Sequence, residues 1–410
     1  MTGKQQFIII LILGALSTIS PFSIDMYLPG FPAIAEDLKT TIPMVQLSLT
    51  SYFIGIAAGQ LLYGPLLDRF GRKIPLYAGL LVYIIASLGC ALTNSANGLI
   101  GMRFLQAVGG CAGMVAAQTL VRDLFPVNKT AQAFSWMTLV IAISPMIAPA
   151  VGGYVTVAFG WHAVFIILAA LTVAIIGCVY FVLPVGKAPD PSLSLLPKSV
   201  LTNFYSVLRQ RQFLLYTLAG GIATAAPFAY IAGSADVFMT IYHFSEKEYG
   251  WIFAFIAFVI IGSTQLNHVL LKRFSSSQII KTTLLYQTCV GVILITGTWF
   301  GWFNKLELIG MIALFLSGHG LINPNANALS LAPFSKHTGS AASLSGSFRM
   351  AMGGLASALV SVFHDGTSMP MIGVMVFCIL GGLVILLVGR SIMKSTADEP
   401  DLEGNTSVVM

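Results

Sequence analysis

The chain is predicted to be an all-α polytopic membrane protein, with twelve transmembrane helices in two pseudo-symmetric six-helix halves. Three observations carry that expectation: the composition, twelve apolar runs, and a proline-broken polar stretch that divides the runs six and six. Of 410 residues, 56% are hydrophobic and 9% charged, and mean hydropathy is +0.86; in a soluble domain about a quarter of residues are charged. A helix needs about 20 apolar residues to cross roughly 30 Å of hydrocarbon. Runs of that length lie near 7–28, 43–66, 74–93, 99–121, 131–155, 161–183, 213–235, 249–271, 278–300, 306–331, 340–363 and 369–390.

The first run follows Lys4 but has no small-x-small cleavage site and continues into Asp25, Pro29 and Pro32, so it is expected to remain as an uncleaved span. Spans one to six form an N-terminal half, 1–183. Between 184 and 212, Pro184, Pro189, Pro191 and Pro197 interrupt a polar, basic stretch that reads as a cytoplasmic linker. A C-terminal half follows over 213–392, then a polar tail over 393–410, expected to be cytoplasmic and disordered. The halves echo each other. LLDRF at Leu66–Phe70 recurs as LLKRF at Leu270–Phe274, and SIDMY at Ser23–Tyr27 has a weaker counterpart in SADVF at Ser234–Phe238. An even number of spans per half keeps such repeats parallel and places a solute site between them near the midplane.

Net charge is +6, which raises the question of nucleic acid, but the basic residues follow the loops. Only Lys39, Lys247 and Lys305 fall in outer loops and Arg103 and Arg349 inside spans; every other Lys and Arg falls in an inner segment if the N-terminus is cytoplasmic. Both termini are therefore expected in the cytoplasm, and no nucleic-acid partner is expected. Cys90, Cys111, Cys178, Cys289 and Cys378 are scattered through apolar runs without metal-type spacing, so neither metal nor disulfide framework is expected. A polytopic enzyme would need a cluster of acid, base and nucleophile or metal ligands, and no HExxH or CxxC occurs. No Gly-x4-Gly-Lys-Ser/Thr loop occurs either, which argues against an ATP-driven pump. No enzymatic activity and no cofactor are expected, and the expected unit is a monomer in the lipid bilayer.

Four segments carry mechanism. The turn after the second span, Gly64 to Lys73, reads GPLLDRFGRK, and its Gly64, Asp68, Arg69, Gly71, Arg72 and Lys73 match a pattern of Gly, three residues, Asp-Arg, one residue, Gly-Arg-Lys/Arg. In the fourth span RFLQAVGG presents Arg103 and Gln106, with Ala107 where a Gly is usual. In the fifth, SPMIAPAVGG presents Pro145, Pro149, Gly152 and Gly153; the prolines remove backbone donors and the glycines let a neighbouring helix approach. In the first, Asp25 is the one carboxylate inside the run, within SIDMYLPGFP. Burial disfavours the charged form of an acid, so one inside a span is paired, protonated or both, as a proton carrier requires. The alternative is an outer helix end exposed to water.

Together these segments resemble the major facilitator superfamily, whose loop signature the 64–73 turn matches, and within it the Bcr/CflA branch of drug-proton antiporters. Arg122-Asp123, Trp161-His162 and the SLSGSFR run ending at Arg349 extend the resemblance over most of residues 20–365. The resemblance implies the major facilitator fold, an inner-membrane location in bacteria, and proton-driven export of small drug-like or other partly apolar compounds. It implies that Asp25 and Arg103 couple protons, that Pro145, Pro149, Gly152 and Gly153 form the antiporter motif, and that Asp68, Arg72 and Asp123 form a gating charge relay. An importer or facilitator of a small metabolite on the same fold is the competing expectation. Candidate cavity residues are Tyr27, Gln106, His319, Asn323, Asn327 and Arg349. His319, Asn323 and Asn327 recur every four residues and share a helical face, while Asn325 points elsewhere. Such amides either bind solute or repair the backbone at Pro324, and Arg349 either contacts solute or packs.

Overall fold

The computed structural model describes residues 3–190, 197–334 and 338–397, and among these the secondary structure is helical with no strand. Eleven helical runs are long and apolar enough to cross a membrane: Lys4–Asp37, Ile42–Phe70, Lys73–Leu92, Ala96–Leu124, Gln132–Phe159, Trp161–Val182, Arg211–Ile241, Glu246–Leu270, Ser276–Trp299, Lys305–Leu331 and Met369–Ile392. The expected twelfth corresponds to the helix Thr338–Val362, whose 25 residues reach far enough, though Arg349 and a Ser- and Gly-rich first half keep its hydropathy low. Within the expected linker lies a helix, Pro197–Leu208, while 191–196 fall outside the described residues. The last helix runs on to Ala397, past the expected start of the tail at 393; residues 398–410 fall outside the described ones.

Four helix starts are capped by side chains, because the first turn of a helix has amide donors without intrahelical partners. Ser95 Oγ accepts from Gly98 N at 3.1 Å, and Ser245 with Glu248, Ser275 with Gln278 and Asn304 with Glu307 close reciprocal capping boxes. The second and third spans meet at Gly71, whose φ of +79° lies in a region that side chains with a Cβ avoid.

Three spans are not the continuous helices their apolar runs suggest. The first is helical over Gly3–Asp25, tightens into a 3-10 turn at Leu28–Gly30, and resumes over Phe31–Asp37. Pro29 and Pro32 have no N–H to offer the carbonyls of Asp25 and Leu28, so the hydrogen-bond ladder is interrupted there. The seventh breaks between Arg211–Ala223 and Ala226–Ala235, at Pro227, and ends in a π-helical turn over Asp236–Ile241. The tenth breaks at Gly318, between Lys305–Ser317 and His319–Leu331, and Gln287 of the ninth span crosses to donate Nε2 to the Phe315 carbonyl at 2.7 Å.

The halves meet along two helix pairs. The second span lies along the Thr338–Val362 helix, joined by Thr50 Oγ1 to Ser357 Oγ at 2.8 Å, Ser361 Oγ to Gln46 Oε1 at 3.1 Å and Ser347 Oγ to the Ala57 carbonyl at 2.8 Å. The fifth span lies on the eighth through small residues: a Cβ on Gly250 would stand 2.8 Å from Ala150 Cα, and one on Gly153 2.7 Å from the Glu246 carbonyl. Without a hydrophobic force between helices in lipid, such close backbone approach supplies the packing.

Gly152 is the tightest of these positions, since a Cβ there would overlap the carbonyl oxygen of Met26, immediately after the first-span helix ends. Gly152→Val is therefore expected to overpack this contact, at a cost of roughly 1–3 kcal/mol. A lower melting temperature of the detergent-solubilised protein checks it. Gly177→Ala, where nothing lies within 4 Å of an added Cβ, should melt like the parent.

Candidate functional site

The deepest charge is Arg103, with no exposed surface. Its Nη1 donates to Gln106 Oε1 at 2.6 Å and its Nη2 to the Ser23 carbonyl at 2.9 Å. That carbonyl belongs to the last turn of the helix Gly3–Asp25, where carbonyls lack intrahelical partners and a cation complements the helix dipole. The guanidinium also lies 4.2 Å from the Tyr27 ring centroid and 4.1 Å from that of Tyr52, a cation–π arrangement stronger for being dry. Gln106 Nε2 passes on to Ser87 Oγ at 2.8 Å, and Ser23 Oγ meets Tyr83 Oη at 2.6 Å.

Tyr27 and Gln106 therefore depart from the cavity expectation. They are 1% and 0% exposed because Arg103 engages them inside the N-terminal half, Tyr27 through its ring face and Gln106 through its carbonyl. Tyr52, Tyr83 and Ser87 were not singled out in the sequence; nothing in their spacing separates them from ordinary packing residues.

Asp25, expected to work with Arg103, ends the same helix but is not bonded to it. It is 4% exposed, and among the described residues no hydrogen bond or ion pair reaches its carboxylate. Tyr230 of the seventh span and Tyr249 of the eighth lie close enough for its charge to act on their hydroxyls. Asp25 thus sits between the halves, beside the break that Gly152 holds. The glycines of the fifth-span motif serve this packing, while Pro145 and Pro149 lie inside a helix that continues over Val127–Phe159.

The turn at the basic end brings its three predicted charges together. Arg72 donates Nη1 to Asp68 Oδ1 at 2.7 Å and Nε to Asp123 Oδ2 at 2.7 Å. Arg72 is 6% exposed, Asp123 13% and Asp68 53%, so Arg72–Asp123 is the sheltered bond and Asp68 the accessible arm. The Lys187 backbone N–H adds a 3.2 Å bond to Asp123 Oδ2, and the Asp190 backbone N–H donates to the Asp68 carbonyl at 3.3 Å. The beginning of the linker is thereby tied to the relay. Gly64 faces the other half, with Ser343 Oγ 3.2 Å from where its Cβ would stand. Arg69 and Lys73 flank the turn.

In the C-terminal half, Arg349 Nη1 donates to Asn323 Oδ1 at 3.1 Å. Both line a narrow crevice with Asn327, Thr217, Tyr216 and Ser345, and His319, one turn before Asn323, lies within range of the Arg349 charge. Asn325 points away, as its phase predicts, and donates to Asn267 Oδ1 at 2.6 Å and to the Leu321 carbonyl at 2.8 Å. The carbonyl that Pro324 leaves unbonded is that of Gly320, so backbone repair at the proline is not what Asn325 does.

One pair escaped the sequence reading. Asp236 Oδ2 lies 2.8 Å from His364 Nε2, at the edge of a cavity of about 580 Å³ that Thr41 and Pro43 of the other half also line. The signal was present in SADVF, where Asp236 holds the place that Asp25 holds in SIDMY.

A family model described as Major Facilitator Superfamily matches residues 13–361. The bicyclomycin resistance protein homolog of Haemophilus influenzae is 32% identical over 383 residues, covering 92% of this chain and 94% of that protein. The chloramphenicol resistance protein of Pseudomonas aeruginosa is 28% identical, with 92% and 88% covered, and multidrug resistance protein MdtL of Escherichia coli is 27% identical, with 91% and 93% covered. Among solved structures, a bacterial homolog of the human lysosomal transporter Spinster, inward-facing and unoccupied, superposes with a TM-score of 0.76 over 96% of this chain and 99% of that one; at 14% identity the likeness is one of fold. A helical bundle with a family match over most of its length and relatives along nearly all of it is a multi-pass membrane transporter rather than an enzyme, and the chain belongs to the major facilitator superfamily, among the relatives of the bicyclomycin resistance proteins.

Proposed function

We propose that this transporter exports small, partly apolar, drug-like compounds across the bacterial inner membrane in exchange for protons, with both termini in the cytoplasm. The observation that carries the reading is Asp25: a carboxylate nearly excluded from water, without a bonded counter-charge, between two halves that must move against each other. A group so placed takes a proton when its surroundings are dry and yields it when opening admits water. Arg103, bonded to the Ser23 carbonyl two residues before Asp25, holds the helix end that carries Asp25. The relatives named for bicyclomycin, chloramphenicol and multidrug resistance support the export direction and the solute class. At the basic end, Arg72 links Asp68 to Asp123 and the linker, and the relay acts as the cytoplasmic gate.

One proton moving through roughly 150 mV releases about 3.5 kcal/mol, from 2.3 kcal/mol per 100 mV, and each factor of ten in concentration requires about 1.4 kcal/mol. One-for-one exchange of a neutral compound therefore sustains a gradient of about a few hundred-fold.

Resistance profiling of a drug-sensitive host expressing the chain identifies a solute. In liposomes with an imposed gradient and a pH-sensitive dye, that solute should drive proton flux opposite to its own movement. Flux in the same direction would identify a symporter, and solute movement indifferent to the gradient a facilitator. Asp25→Asn keeps the side-chain shape and cannot titrate, so at equal abundance it should lose gradient-driven export; export at the parent rate would remove Asp25 from the coupling role. Asp68→Asn should leave solute affinity within about fivefold, since its turn lies at the basic end of the bundle and away from the midplane, while turnover falls strongly. A large loss of affinity at unchanged turnover would remove the gate assignment.

A further inference from the structure

Arg349 is a cation at membrane depth with no anion bonded to it among the described residues. It stands eleven residues into the helix Thr338–Val362, about 16 Å along it at 1.5 Å per residue. Among the described residues, the carboxylates of the C-terminal half are Asp236, Glu246, Glu248, Glu307 and Asp365. All of them belong to the ends of their spans away from the basic turns, and none is bonded to Arg349. Its bonded partner is a neutral amide, that of Asn323. Arg103 is engaged more fully: its two terminal nitrogens reach an amide and a helix-end carbonyl and its plane faces two aromatic rings, with Nε alone left unbonded. Arg349 has the amide alone.

The surroundings are polar and incompletely bonded. Thr217 Oγ1, on the facing seventh span, is buried with no hydrogen-bond partner, and so is His319 Nδ1. Asn327 and Ser345 line the same crevice, which passes the break in the seventh span at Thr224. The crevice admits little more than a water molecule in this conformation, about 10 Å³. Its walls are three different helices, so movement of the seventh span at its break widens it. A guanidinium with unused donors, neighbouring hydroxyl and amide groups and no counter-ion is complementary to a compact, planar, oxygen-bearing anion.

We propose that Arg349, with Asn323, Asn327 and Thr217, forms a subsite for the carboxylate of the transported compound, so that partly apolar organic acids and amphoteric compounds are among its solutes. The assignment rests on the export reading for what the subsite is used for, and on the unbalanced charge alone for what it binds. Asp25 and Arg349 then offer a compound that bridges the halves one acidic and one basic contact.

The test is binding to the purified full-length protein in lipid nanodiscs, by calorimetry, of 2-naphthoate and 2-naphthamide, which share a ring and differ in charge. The parent should prefer the carboxylate by at least about tenfold, the effect of one charge-assisted bidentate contact. Arg349→Gln should reduce that preference to below about threefold. Asn323→Asp is the sharper variant: it preserves shape and supplies a carboxylate where Oδ1 now stands 3.1 Å from Arg349, so it should lose the preference in a protein whose packing is intact. Equal affinities in the parent, or a preference that survives Asn323→Asp, would overturn the subsite. So would chloride that saturates the site alone and abolishes naphthoate binding in competition, since the site would then serve an inorganic ion. Loss of drug export with the naphthoate preference intact would count against the export reading and leave the subsite standing.

Discussion

The N-terminal half is organised around the satisfaction of one buried cation. An arginine placed centrally in a bilayer costs about 2.5–3.5 kcal/mol on insertion scales if nothing receives its donors. Charge-assisted hydrogen bonds return roughly 1.5–3 kcal/mol each, and a desolvated cation–π contact about 2 kcal/mol. The two bonds and two ring faces around Arg103 are together sufficient, and they fix much else. The Ser23 carbonyl lies in the last turn of the first helix. Tyr27 and Tyr52 must turn their faces inward. Gln106 must point its carbonyl at Arg103, which leaves its amide for Ser87. Arg103 points at those partners and not at Asp25, which remains without a bonded counter-charge among the described residues.

The pseudo-symmetry of the halves is broken at the positions that carry charge. Asp68 is answered by Lys272 in the repeated LLDRF and LLKRF segments, so the turn between the eighth and ninth spans lacks the acid that Arg72 bonds in the first copy. Asp25 is answered by Asp236, but Asp236 has His364 at 2.8 Å while Asp25 has no such partner. One copy of the repeat therefore keeps an acid bonded to an imidazole where the other keeps an unbonded one. A symmetric transporter would have two equivalent acids; this one concentrates its lone acid in the N-terminal half and its unbalanced base, Arg349, in the C-terminal half.

The span pattern was legible because the bilayer imposes length and hydropathy on every crossing helix, and the 64–73 turn was legible because its charges sit within a few residues of one another. Arg72 and Asp123, 51 residues apart, are joined by a 2.7 Å bond that no local spacing could announce. The breaks were only partly readable. Pro29, Pro32 and Pro227 mark two of them, but the tenth span breaks at Gly318, well over one turn before the more conspicuous Pro324, and the Gln287 that satisfies Phe315 comes from another span. Tyr27 and Gln106 were misplaced for a related reason: a polar residue inside a span faces either a solute or another side chain, and helical phase alone does not distinguish them.

The contacts between halves suit separation. The ion pairs Arg72–Asp68, Arg72–Asp123 and His364–Asp236 each lie within one half. Between the halves, the second span and the Thr338–Val362 helix are joined by hydroxyl bonds at Thr50, Ser361 and Ser347, and interhelical bonds of that kind average about 0.6 kcal/mol in membranes. Breaking all three costs roughly 2 kcal/mol, less than the ~3.5 kcal/mol carried by one proton through about 150 mV. At the fifth and eighth spans Gly153 and Gly250 meet backbone and small atoms, and the one charge that reaches across there among the described residues, Lys247 with Nζ 5.1 Å from the Tyr154 ring centroid, is exposed, so these spans can part without stranding a buried charge. Ion pairs across the same seam would have to be desolvated again on every return, at several kcal/mol per ion, so keeping charge pairs inside the halves leaves the seam able to open and close within the energy that one proton supplies.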